Sequence, residues 1–141
     1  MTQEQKDLLL KDLCGRLPYG VKVQVAPVPF KEYGHITFNA KIVYIDNNYI
    51  GVLSDWNSVF QQDITKVKPY LFPLESMTEE QKQEYTKVCE LDTEMLFKTH
   101  VDGTPFPAMY NSQDWLDAHH LDYRGLIPMN LAIDATNLNI Y

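Results

Sequence analysis

The chain has 141 residues, 45% of them hydrophobic and 22% charged, which is a folding composition for one domain rather than a disordered one. Nothing approaches the roughly 20 apolar residues of a membrane-spanning helix, and Leu8-Leu9-Leu10 is too short an apolar run for a secretory signal. The net charge of −7 is lopsided, near neutral over residues 1–73 and strongly acidic over 74–141, so a broad nucleic-acid-binding face is not expected.

The first element is a helix from Thr2 to about Leu17. Thr2 and Gln5 have the spacing of a capping box. Leu9, Leu10, Leu13, Cys14 and Leu17 recur at three- and four-residue steps, and Lys6, Asp7, Lys11 and Asp12 fill the opposite side. Gly15 weakens the last turn, and Pro18 with Gly20 ends the helix.

The period then changes to two. Val21, Val23 and Val25 alternate with Lys22 and Gln24 as a strand that Pro27 and Pro29 are expected to stop. A second strand covers His35 to Asp46, with a change of phase near Ala40–Val43 that predicts a bulge. Asp46-Asn47-Asn48 turns the chain into a return strand over Tyr49–Ser54. Asp55-Trp56-Asn57-Ser58 is a second turn, Val59-Phe60 begins another short strand, and Ile64 to Phe72 is a compact run between prolines. Residues 21–73 thus form a β-rich unit of three to five short strands. The expected fold is α+β: an N-terminal helix over 1–20, a small curved antiparallel sheet or an SH3- or Sm-like barrel, then an acidic, mainly helical region over 74–141.

In that region a second helix starts at Thr78, with Gln81 as its capping-box partner, and runs to about Leu91. Met95, Leu96 and Phe97 fit either its end or a strand. Asp102-Gly103-Thr104-Pro105 reads as a turn. Asn111 or Ser112 caps a third helix that carries Trp115, Leu116, Ala118 and His119. Leu131, Ile133 and Leu138 suit a last strand or a packed tail.

Four residues stand out as candidate contacts: Trp56, His119, His120 and Arg124. Adjacent histidines on a helix point about 100° apart, so His119 and His120 are poorly placed to share one metal ion. One of them could join Asp117, His100 or His35 in an acid–base or metal site. The structural alternative packs one beside Trp115 and leaves the other in water. Arg124 could grip a phosphate or carboxylate, or pin its helix end through Asp122 or Asp117. Tyr44, Tyr49, Trp56, Phe60, Tyr70 and Phe72 could offer a stacking platform or a peptide groove, and alternation places at least half of them in the core. Trp56, in a turn, is the expected exposed one. Lys66 and Lys68 beside Tyr70 fall short of a nucleic-acid signature. Cys14 and Cys89 have no metal-type spacing and read as reduced, partly buried thiols. No phosphate loop or nucleophile elbow is present, and no cofactor or metal is expected.

Two segments carry a resemblance. The stretches from Val67 to Gln81 and from Asp114 to Ile127, with Leu17-Pro18-Tyr19-Gly20-Val21, resemble segments of small proteins from gut Bacteroides-type bacteria and their prophages, a family of unknown function. The resemblance implies a bacterial or phage genome and a cytoplasmic product, and assigns no residue a role. A non-enzymatic binding or adaptor protein with a protein partner is the expected function. A small hydrolase or metal-dependent enzyme using His119 or His120 with Asp117 and Arg124 is the alternative. An acidic inhibitor of a host nucleic-acid-binding protein is a third possibility.

Overall fold

A computed structural model describes residues 1–30, 32, 34–47, 49–102 and 111–141, with the side chains of residues 30 and 94–102 excepted. Helix α1 (Gln3–Arg16) begins on the expected capping box: the Gln5 amide donates to Thr2 Oγ1 and the Thr2 amide to Gln5 Oε1. Its buried stripe is Leu9, Asp12, Leu13 and Arg16. The expectation therefore needs correcting on two counts. Asp12 lies on the buried side, and Cys14 is exposed rather than partly buried. Strands β1 (Lys22–Phe30), β2 (Gly34–Ile45), β3 (Ile50–Ser54), β4 (Val59–Gln62) and β5 (Val67–Leu71) follow, then α2 (Glu79–Asp102), α3 (Ser112–Ala118) and β6 (Ile133–Asp134).

The six strands form one sheet in the order β4-β3-β2-β1-β5-β6, antiparallel except where β6 joins β5. The order is linear and β4 and β6 are its two edges, so the sheet is curved but does not close into a barrel. α1 covers one face instead. Leu9 and Leu13 share a core with Val23, Val25, Ala40, Ile42, Val52 and Val67, and Leu126, Leu131 and Ala132 from the late loop complete it.

β1 runs straight through Pro27 and Pro29 instead of stopping there. Its β2 register shifts between Val25 and Val28, and β5 pairs with it only over Val23–Val25. Beyond Val25 one side of β1 has no neighbour strand among the described residues, and an edge tolerates residues that cannot donate to a ladder. The predicted bulge in β2 falls between Ile42 and Tyr44. There the Tyr44 ring lies against Gly51 on β3, where any Cβ would collide with it.

α2 starts at the Thr78–Gln81 capping box and extends past Leu91, so Met95 to Phe97 are helical backbone and not strand. The turn expected at 102–105 lies outside the described residues. Asn111 caps α3, with Asp114 returning the bond. A second, smaller core joins α3 to α2: Trp115, Leu116 and Leu121 pack with Phe72, Met77, Tyr85 and Val88.

Candidate functional site

The segment 112–124 carries three of the four candidate residues, and each meets a different environment. His119 stacks on Trp115 with ring centroids 3.8 Å apart. Its Nδ1 lies 2.8 Å from the Trp115 carbonyl, an acceptor only, so Nδ1 carries the proton. His119 borders a cavity of about 310 Å3 lined also by Phe72, Leu121, Ser76, Gln81 and Thr136. Much of the polar lining is already engaged: Gln81 serves the α2 cap, and Ser76 Oγ donates to the Pro73 carbonyl.

His120 does not face water. It is 9% exposed, with a left-handed backbone (φ 55°), and stacks on Tyr141 at 3.8 Å and 11°. Its carbonyl accepts from the Phe72 amide, and Phe72 returns a bond to the Asp122 amide, so its backbone is fixed to the end of β5. Burial, with Arg16 and His119 nearby, pushes its pKa down to about 4. The ring is therefore neutral at pH 7. Tyr141 is 44% exposed as a whole, but its hydroxyl is enclosed, donating to the Tyr70 carbonyl and accepting from the Lys22 amide. Desolvation moves that phenol up to about 12.

Arg124 belongs to a cluster of charges that includes two α1 residues not singled out from the sequence. Arg16, fully buried, makes a bidentate pair with Asp12, Nε to Oδ2 at 2.7 Å and Nη2 to Oδ1 at 3.0 Å, and Nη2 also donates to the Leu121 carbonyl. Asp117 approaches Arg16 Nε at 3.9 Å and accepts from the Tyr123 hydroxyl at 2.9 Å. Arg124 donates to that hydroxyl, lies over the Tyr123 ring at 4.7 Å, and reaches Asp12 Oδ1 at 3.3 Å, an ion-pair distance without hydrogen-bond alignment. Arg124 thus pairs with Asp12, and not with Asp122 or Asp117. Asp122 instead accepts from the amides of Leu126 and Ile127, which orders the late loop around the left-handed Gly125.

Two guanidinium groups meet two carboxylates here, so the cluster is neutral and closed. Taking these charges out of water costs several kcal/mol per ion, and the bidentate geometry offsets it. The carboxylates are shut away, and only Arg124, at 15% side-chain exposure, touches solvent. Burial raises the Asp117 carboxyl above the ordinary carboxylate range, against the lowering effect of the Tyr123 donor and Arg16. Tyr123 is raised to about 12, by desolvation first and by Asp117 second. Gly15 admits the cluster: a Cβ there would lie 2.8 Å from Asp117 Oδ2. The arrangement bolts α1 to segment 112–124.

The fourth candidate is far in sequence from this segment. Trp56 is 47% exposed in the β3–β4 turn, as expected. Phe38 and Phe60 lie behind it, with ring centroids 5.0 and 6.0 Å away. Of the other aromatics, Tyr70 is buried, its hydroxyl between Gln24 and Asn39, and so is no stacking surface. Lys68 next to it is bound to Asn130. His35 is exposed on β2, and His100 lies outside the residues whose side chains are described. Among the described residues no three His, Cys, Asp or Glu side chains are grouped to hold a metal ion, and no helix is long and apolar enough to cross a membrane.

Two side chains of this cluster escaped the sequence reading: Asp12, which was placed on the polar side of α1, and Arg16. Arg16 follows Asp12 by four residues on one helical face, and that spacing was the available signal. No known protein family, characterised protein or solved structure matches the chain.

Proposed function

We propose that this chain is a non-enzymatic binding or adaptor protein of bacterial or phage origin, and that it takes a protein partner at the Trp56 corner. One observation carries the reading: a half-exposed tryptophan, backed by two phenylalanines, stands beside the terminal strand of the sheet. β4 is a terminal strand in the sheet. Its sequence Val59-Phe60-Gln61-Gln62 has neither charge nor proline, and Val59 is 59% exposed. Edge strands usually carry lysine, proline or a bulge that discourages pairing. An extended segment added along β4 would gain main-chain hydrogen bonds and place an apolar side chain against Trp56.

A library of extended peptides, with binders mapped by amide chemical shifts, tests this. Binders should perturb residues 56–62, and Trp56→Ala should weaken them by about 30-fold or more, the loss typical of an interfacial tryptophan. Fluorescence gives a second readout, because Trp115 is 1% exposed and Trp56 is not. Binders that perturb another surface, or that tolerate Trp56→Ala, would overturn the reading. Self-pairing along β4, seen as a concentration-dependent dimer, would replace a foreign partner with a second copy.

A second reading rests on His119. With Nδ1 committed to the Trp115 carbonyl, Nε2 is the ring nitrogen left to meet a ligand, on a ring bordering the 310 Å3 cavity. Hydrolysis of an ester panel that disappears in His119→Gln would support it, and equal rates in both proteins would remove it.

A further inference from the structure

Lys22 and Lys41 are direct partners in the β1–β2 ladder. They point away from the core, since their neighbours Val23 and Ala40 are the buried residues. Like charges directly opposite each other weaken a sheet. Among the described residues neither lysine makes an ion pair, although Asp55 borders the same space. Lys22 Nζ donates to a neutral group, the Ile140 carbonyl, at 2.7 Å. The Lys41 ammonium lies over Gly20, where a Cβ would sit 3.6 Å from it. Gly20 has φ 69°, so the position that makes room for Lys41 is one that favours glycine on both counts.

Between the lysines is a cleft of about 200 Å3, lined also by Asn39 and Asn139. Asn39 is oriented by a relay. Gln24 Nε2 donates to the Tyr70 hydroxyl at 3.2 Å, and that hydroxyl donates to Asn39 Oδ1 at 2.6 Å. The carbonyl end of Asn39 is thereby occupied, and its NH2 group, which can only donate, is the end left for the cleft. Two lysines and two asparagines thus line a space whose described lining holds one carboxylate, Asp55, in a chain of net charge −7.

We infer that this cleft binds a doubly charged oxyanion, the phosphate group of a small phosphorylated ligand or free phosphate. Lysine acts on phosphate as a point charge, and two lysines match two negative charges. The site touches the β3–β4 turn through Asp55, but its lysines stand on β1 and β2, and it does not depend on the Trp56 reading.

The test is an amide-shift titration of the full chain at constant ionic strength. Inorganic phosphate and glycerol 3-phosphate are the probes, with chloride and acetate as controls. Phosphate should give saturable shifts at Lys22, Asn39, Lys41 and Asn139 at roughly millimolar concentration, and the controls should not. Lys41→Gln should weaken binding at least tenfold. Asn39→Asp, which keeps an acceptor for Tyr70 and adds a negative charge, should abolish it; unchanged spectral dispersion checks that both variants fold. Tighter binding of the ester marks a phosphorylated ligand, and equal binding marks free phosphate. Shifts that chloride reproduces, or phosphate shifts that survive both substitutions, overturn the inference.

Discussion

Acid should destabilise this fold through His120, by an amount that can be isolated. The ring is 9% exposed and stacked under Tyr141, its Nδ1 has no hydrogen-bond partner among the described residues, and the fully buried Arg16 is close enough to oppose a second positive charge. Its pKa falls from an unfolded value near 6.5 to about 4 in the fold. The folded state therefore favours the neutral ring. That contribution is fully present above pH 6.5 and is lost as the pH drops towards 4, because the unfolded chain takes up the proton first. Each pH step in this window costs about 1.4 kcal/mol, so at pH 5 the loss is roughly 2 kcal/mol. Asp117, whose pKa is raised, acts in the opposite direction, adding stability as the pH falls.

The comparison protein is His120→Asn, because asparagine tolerates the left-handed backbone. It loses the stack on Tyr141, which should cost about 1 kcal/mol at pH 7. It keeps Asp117, whose effect largely cancels in the difference. Urea unfolding followed by the fluorescence of buried Trp115 should show wild type more stable by about 1 kcal/mol at pH 7 and less stable by about 1 kcal/mol at pH 5. Parallel pH profiles for the two proteins would refute a buried neutral His120.

Three further predictions concern the packing. Gly15→Ala should destabilise the protein by about 1 kcal/mol in urea, since the roughly 1 kcal/mol gained in helix propensity is outweighed by displacing the Asp117 carboxylate; in an Asp117→Ala background the same change should become stabilising. Arg16→Met should cost about 3–5 kcal/mol by stripping buried Asp12 of its bidentate partner and leaving it only the unaligned Arg124, and adding Asp12→Leu should restore much of that loss in thermal unfolding. Gly51→Ala should lower stability by about 1–3 kcal/mol, because the Tyr44 ring must leave β3 and give up the bond its hydroxyl accepts from Gln61, visible as a change in tyrosine ring NMR signals.

The three helix starts were readable because their causes are local. Thr2 with Gln5, Thr78 with Gln81 and Asn111 with Asp114 each satisfy free helix-end amides within three residues. The alternation in β1 and β2, the bulge near Ala40–Val43 and the exposure of Trp56 in a tight turn follow from equally short-range rules. Tertiary structure decided matters where the partner is distant or the neighbour unknown. Which side of α1 is buried depends on charges that meet Arg16 from the segment around Leu121, 105 residues away. Periodicity therefore sorted Asp12 with the solvent and Cys14 with the core, the reverse of what is found. Whether β1 could pass through Pro27 and Pro29 depended on β5 starting only beside Val25. Burial of His120 depended on Tyr141 folding back over it. For Arg16 and His120 the deciding energy is desolvation repaid by a contact distant in sequence, and for the prolines it is a ladder bond that the distant β5 does not ask for, so that no local window of sequence contains it.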